Sequence, residues 1–347
     1  MIEDSLLEYN IDRIKLLRRC QKCLLPETFP FIEYDDLGIC NYCYNYKLKN
    51  IPKSTEELFD IVKPYRHKKS NDCIVPFSGG RDSCYGLHLV VNELKMKPIT
   101  YTYDWGMISD VGRRNISRMC NKLNVENILV TADISQKRRN ITTNLKAWLK
   151  SPHLGMISIL TAGDKHFFKY VETVKKQTGI SLNLWSVNPL EITHFKAGFL
   201  GIKPDFEEIG VYSYGIYKQL RYQYLRFQVM LENLSYFNSS LWDTLSGEYY
   251  RSLTKKRDYY HIYDYWHWMN KKSKIHLILI TGNEQQIQIL HGELVIQLRL
   301  FIIIFIILLL VLLSMIHLEA IKFVKEHLIE KKVYNLLQKR IDLVILP

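Results

Sequence analysis

Residues 73 to 86 read CIVPFSGGRDSCYG, an apolar run that ends in two glycines flanked by serines, with an aspartate just beyond. Gly79 and Gly80 can take positive φ and let phosphate oxygens reach the backbone with no Cβ in the way. Ser78 and Ser83 add hydroxyl donors, Arg81 lies in the same turn, and Asp82 can cap the next helix or help hold Mg²⁺. A strand followed by such a turn and a helix aims unpaired N–H groups and a positive helix end at an anion. The chemistry predicted is a pyrophosphate cradle. The other common cradle, GxxxxGK followed by Ser or Thr, is absent, and this loop contains no lysine.

A second cluster lies upstream. Cys20 and Cys23 are followed, sixteen residues later, by Cys40 and Cys43. Two CxxC pairs at this spacing place four thiolates around Zn²⁺, with Asp35, Asp36 and Gly38 suited to the hairpin between them. Four filled positions leave none open for chemistry, so the zinc is assigned a structural role. Cys73, Cys84 and Cys120 stand alone. Residues 1 to 20 are amphipathic and charged, without a secretory signal, so a reducing cytoplasm and metal binding are expected in preference to disulfides.

The elements needed to position the loop follow from hydrophobic period. Apolar runs near 72–77, 99–103, 128–130 and 182–187 read as strands. Between them fall helical faces: Leu87, Val90, Val91 and Leu94; Ile116, Met119, Cys120 and Leu123; Ile141, Leu145 and Trp148. Strands alternating with helices predict an α/β fold with a doubly wound parallel sheet. The chain is expected to divide into a zinc-knuckle region and linker (1–70), an α/β domain (71–200), a helical aromatic-rich region (201–275) and an apolar tail (276–347). In the third region Leu220, Tyr224, Phe227, Leu231 and Leu234 form an apolar stripe at helical spacing, with Arg221 and Arg226 expected in solvent. The aromatic run YYHIYDYWHW, 259–268, is either a core plug or a wall on which a sugar stacks.

The SGGRDS string after a strand resembles the signature of the PP-loop ATP pyrophosphatases, within the adenine nucleotide alpha hydrolase superfamily. The resemblance implies a Rossmann-like fold and cleavage of ATP between its α and β phosphates. It also places Asp104, at the end of the second strand, beside the adenosine half. The segments CQKCLLPETFPFIEYDDLGICNYC, YTYDWG, AWLKSPHLGMISILTAGDKHFF and NPLEITHFKAGF extend the likeness. Together they resemble the N-acetyl sugar amidotransferases of surface polysaccharide (LPS) biosynthesis, over about residues 15–270. The substrate so implied is a nucleotide-linked acetamido sugar whose acetamido group becomes acetamidino. Asp82, Lys165 and Lys196 are the candidate catalytic residues, and Asp164, Asn188 and Glu191 are further candidates for ATP or sugar contacts. Residue 2 is Ile and no lone cysteine sits in a nucleophile elbow, so ammonia is expected from a separate glutaminase, with a channel-forming companion. Ser186 and Val187 depart from the family pattern, in which glycine is usual. The alternative is a PP-loop tRNA 2-thiolation enzyme, which usually carries further cysteines in or after the catalytic domain.

Lys and Arg number 47 against 35 Asp and Glu, a net charge of +12 that suits nucleic acid, an anionic membrane or a phosphorylated small molecule. An A/T-rich gene, which favours Ile, Lys, Asn and Tyr, explains the same excess, and nucleic acid is not favoured as a partner. Residues 300–316, LFIIIFIILLLVLLSMI, are long enough to span a bilayer. Yet HGELVI (291–296) and FIIIFIIL (301–308) can be encoded so that one shifted frame reads Trp-Arg-Ile-Gly-Asp and Tyr-Asn-Tyr-Ile-Tyr-Tyr-Thr. Both resemble C-terminal segments of the sugar amidotransferases. A frameshift near residues 270–280 is therefore expected to have produced the tail, and a membrane partner is not expected unless that run is genuine.

Overall fold

A computed structural model describes residues 16–47, 51–67, 70–161, 163–189, 195–206 and 216–268. Glu191 and the whole 276–347 tail lie outside them. Among the described residues no helix is long and apolar enough to cross a membrane.

Five parallel strands form one sheet in the order β3-β2-β1-β4-β5. They are β1 (Cys73–Pro76), β2 (Pro98–Asp104), β3 (Asn127–Thr131), β4 (Asn183–Trp185) and β5 (Tyr259–His261). β1 pairs with β2 from Cys73↔Pro98 to Pro76↔Tyr101, and with β4 at Ile74↔Asn183. The chain winds outward from β1 to β3, then returns to lay β4 and β5 on the other side. Strand order thus reverses at β1, and a crevice opens at its carboxyl end. The doubly wound α/β fold expected from the strand–helix alternation is the observed one.

Every residue of β2 is buried, as a strand covered on both faces requires. A short helix, α1 (Asn41–Tyr44), belongs to the cysteine knuckle. On one face of the sheet Cys73, Val75 and Leu184 pack with Leu58 and Val62 of α2 (Thr55–Val62), Leu87 of α3 (Arg81–His88) and Met119 of α4 (Asp110–Leu123). On the other face Ile74, Ile99, Tyr101 and Tyr103 meet Val171 and Val174 of α6 (Phe167–Thr178). A further core joins α5 (Ile134–Lys150), the 3₁₀ segment Leu154–Thr161, α7 (Phe195–Phe199) and α8 (Ile216–Glu232), around Trp148, Met156 and Tyr222. Side chains cap three of these helices: Ser54 accepts from the Glu56 N–H, Ser109 from Gly112 and Asp133 from Gln136. Neither α3, whose N-cap is Gly80, nor α6 has a capping side chain.

Two expectations change. The aromatic run 259–268 was placed in the helical region, yet it supplies the fifth strand, whose Tyr259 ring lies 5.0 Å from Trp185. Three residues with polar neighbours give too short a hydrophobic period to announce a strand. In α8 the apolar stripe faces outward: Gln219, Tyr222, Arg226 and Met230 are buried, while Leu220, Tyr224, Phe227 and Leu231 are exposed. Arg226, expected in solvent, is 2 % exposed. Its guanidinium lies over the Tyr222 ring and donates to Gln223 Oε1 at 3.2 Å. α9 (Ser240–Ser252) then packs against α6 and the turn that precedes it.

Candidate active site

The cradle is built where β1 meets α3. Gly79 sits at φ +72°, and an added Cβ would run into the Gly112 carbonyl and Ile116 of α4. The turn must approach that helix too closely for any side chain, and Asn115 Nδ2 locks it by donating to the Gly79 carbonyl at 3.1 Å. Ser83 Oγ donates to the Gly80 carbonyl at 2.9 Å, so the 3.1 Å Ser78–Ser83 contact has Ser78 as donor. The Gly80 N–H points back to Ser78 Oγ at 3.4 Å. The result is a tight loop whose following helix starts without a capping side chain and can present its first N–H groups to an anion.

Asp82 does not cap α3. Its Oδ1 accepts from Trp268 Nε1 and from Arg81 Nε, each at 3.1 Å, and its Oδ2 accepts from Asn188 Nδ2 at 3.2 Å. The Tyr263 hydroxyl donates to the Asp82 carbonyl at 2.5 Å. Arg81 lies 4.8 Å above the Trp268 ring, a cation–π contact. Ser78 through Ser83 and Asn188 are therefore brought together, although Asn188 lies 105 or more residues from the loop in sequence. A carboxylate has about four lone-pair sites. Asp82 keeps acceptor capacity for Mg²⁺, which is held chiefly by phosphates and water in such sites.

Asp104 is buried at the end of β2. Its Oδ2 pairs with Arg113 Nη2 at 2.6 Å and its Oδ1 accepts the Gly106 N–H at 2.9 Å. It therefore ties the β2–α4 loop to α4.

The remaining candidates gather in a second group. Lys165 contacts Asp164 at 3.1 Å and Glu248 at 3.8 Å, and Glu248 also faces Arg251 at 3.7 Å. Lys196 is open to solvent, but the protein around it and the charges of Lys165 and Arg251 pull its ammonium below the usual range. Gly163 starts this turn at φ +76°, in a place where a Cβ would strike the Asp243 carbonyl. Behind it Lys137 donates to His166 Nδ1 at 3.2 Å, while His166 Nε2 lies 2.7 Å from Ser246 Oγ. Lysine has no acceptor, so neutral His166 carries its proton on Nε2 and donates it to Ser246. That direction excludes His166 as a base for Ser246.

Sequence reasoning missed Arg113, Asn115, Tyr263, Trp268 and Glu248. Only the aromatic run holding Tyr263 and Trp268 had been marked. Ser186, at the departure from the family pattern, packs against Gly86 of α3, where a Cβ would collide with its Oγ.

The four knuckle sulfurs lie within 4.8 Å of one another. Cys20 and Cys43 are 3.8 Å apart, and Cys23 and Cys40 3.5 Å. A tetrahedron with Zn–S bonds of about 2.3 Å has edges of about 3.8 Å, so the set fits the metal. Against the cost of burial, backbone N–H groups, among them Lys22 and Cys40 at 3.4 and 3.2 Å, draw the Cys20 thiol down to about 6. Pro30 of the hairpin packs on Gly198 of α7, and Tyr42 lies 5.4 Å from Phe206.

Fold and loop together define a doubly wound α/β domain with a glycine turn at the point of strand reversal and a four-cysteine knuckle beside it. No family profile and no curated protein sequence matches this chain. Among solved structures it is similar to the predicted subunit of a tRNA methyltransferase from Methanocaldococcus jannaschii, at 16% identity and TM-score 0.25. That match covers 35% of this chain and 56% of the other, so this chain spans little more than half of that relative. It is also similar to the U34-tRNA thiolase NcsA from Methanococcus maripaludis with its 4Fe–4S cluster (14% identity, TM-score 0.30, covering 77% and 73%). A third is the NH3-dependent NAD synthetase from Campylobacter jejuni (16%, TM-score 0.29, covering 58% and 96%).

Proposed function

We propose that this chain is an ATP-dependent amidotransferase. It would adenylate the acetamido oxygen of a nucleotide-linked N-acetyl sugar and replace that oxygen with nitrogen from ammonia, giving an acetamidino sugar for surface polysaccharide. The observation that carries this reading is the cradle at the point of strand reversal. Its Gly79 turn is pressed onto α4 and held by Asn115, two hydroxyls are ordered, and Asp82 is held by three side-chain donors.

An amide carbon is a poor electrophile, and ammonia does not displace its oxygen unaided. Attack of that oxygen on the α phosphate forms a P–O bond and breaks the bridge to the β phosphate, releasing pyrophosphate into the cradle. The ammonia lone pair then adds to the imidate carbon. The C–O bond to AMP breaks, and a proton leaves the new nitrogen. Ser78, Gly79, Gly80, Arg81 and Ser83 would hold the departing pyrophosphate, and Asp82 would serve it through Mg²⁺. Lys165 and Lys196, with Asp164, would face the substrates.

Cys73, Cys84 and Cys120 are buried, and burial pushes each thiol above its usual range. None suits a glutaminase nucleophile, which supports a separate ammonia-supplying subunit with a channel-forming companion in the cytoplasm. The same three thiols weigh against tRNA thiolation, because they are sealed in the core and form no second cluster among the described residues.

Purified protein with ATP, ammonia and a panel of nucleotide-linked acetamido sugars should release AMP and exchange one sugar oxygen for NH. Release of ADP, or AMP formation provoked by tRNA and not by any sugar, would overturn the reading.

A further inference from the structure

Along α8, Tyr217, Leu220, Tyr224, Phe227 and Leu231 recur at steps of three and four residues. They are respectively 78, 60, 60, 47 and 53 % exposed, while the opposite face is buried in the chain's own core. Alternating steps of three and four form the seam of a two-helix coiled coil. The seam offers roughly 600 Å² of mostly apolar surface, at the upper end of the largest patch usual on a monomer. Phe237, 5.8 Å edge-to-face from Phe227, widens it.

We propose that α8 pairs with α8 of a second copy of this chain, antiparallel about a two-fold axis between Tyr224 and Phe227. In that register Tyr224 meets the partner's Phe227 and Leu220 meets the partner's Leu231. Large and smaller side chains alternate across the seam. Arg221 faces the partner's Gln228, so no like charges are opposed. A parallel pair would instead stack Tyr217 and Tyr224 on their own copies. The two faces together bury on the order of 1,200 Å², the lower end of specific interfaces, and a two-fold makes one patch serve both subunits. The inference stands apart from the proposed reaction.

Light scattering and sedimentation of the full chain should give a dimer. Phe227→Glu and Tyr224→Lys should each weaken it roughly 100-fold, as loss of a central aromatic does, with unchanged far-ultraviolet circular dichroism. The double variant Y224K/F227E should restore it, because antiparallel pairing sets each new lysine against the partner's new glutamate. A monomeric parent chain overturns the proposal. If that monomer also shields α8 amides from hydrogen exchange, another segment of the same chain covers the seam. A dimer indifferent to Phe227→Glu overturns it too, and failure of the double variant to recover removes the antiparallel register.

Discussion

The Trp268 indole N–H donates to Asp82 Oδ1 at 3.1 Å across 186 residues of sequence. This contact and the Tyr263 hydroxyl bond fasten the segment after β5 to the first turn of α3. The aim of the Asp82 side chain thus depends on a stretch far outside the glycine turn. Trp268→Phe keeps a ring beside Arg81 and deletes only the donor. It should cost about 1.5–3 kcal/mol of ATP–Mg²⁺ binding, the worth of a hydrogen bond to a charged group, read by calorimetry. An unchanged affinity would show that the contact does not position Asp82.

Gly79→Ala meets both positive φ and the Gly112 carbonyl. Strain of this kind costs about 1–3 kcal/mol. The variant should lose more than tenfold in nucleotide affinity, with a lower Tm. Gly179→Ala is the comparison: it also sits at positive φ, but nothing lies within 4 Å of its added Cβ. It should lose stability with little effect on nucleotide.

The knuckle should carry one zinc per chain by elemental analysis, with no visible iron–sulfur absorption. Cys23→Ser should lower the metal content, and a strong chelator should lower Tm, since binding energy at such sites is folding energy. Iron in place of zinc would reopen the thiolation reading.

His166 is held neutral by burial and by Lys137, with its pKa lowered to about 4. The folded value lies below the unfolded value of about 6.5, so its contribution is complete above pH 6.5 and is lost as pH falls toward 4. Burial likewise lowers His261, to about 3. Urea midpoints should therefore fall between pH 7 and pH 5, with His166 accounting for about 2 kcal/mol at most. His166→Gln should remove that part of the slope.

Arg113→Leu would leave the Asp104 carboxylate buried and without its cation. Stability should fall by about 2–3 kcal/mol, discounted for the exposed Arg113. Adding Asp104→Asn should recover part of it in denaturant titrations.

Local chemistry explains what could be read in advance. The cradle is one contiguous string, and the knuckle cysteines pair through short spacings, so Ser78–Ser83 and Cys20, Cys23, Cys40 and Cys43 were legible from residue types alone. β2, buried on both faces, announced itself through its β-branched and aromatic residues, Ile99 to Tyr103. α8 misled for the opposite reason: periodicity shows that a helix has an apolar stripe but not whether its own domain covers it. Here the chain's core took Tyr222 and Arg226 instead.

The sequence by itself determined the glycine turn, the paired cysteines and the alternation that makes a parallel sheet, because each depends on neighbours within a few positions. Only the tertiary structure decided that Trp268, Tyr263 and Asn188 converge on Asp82, that Arg113 occupies Asp104, and that Lys165 shares Glu248 with Arg251. These partners lie on different strands and helices. Which of them meet depends on the order in which the sheet is wound, and that order is set by burial across the whole domain.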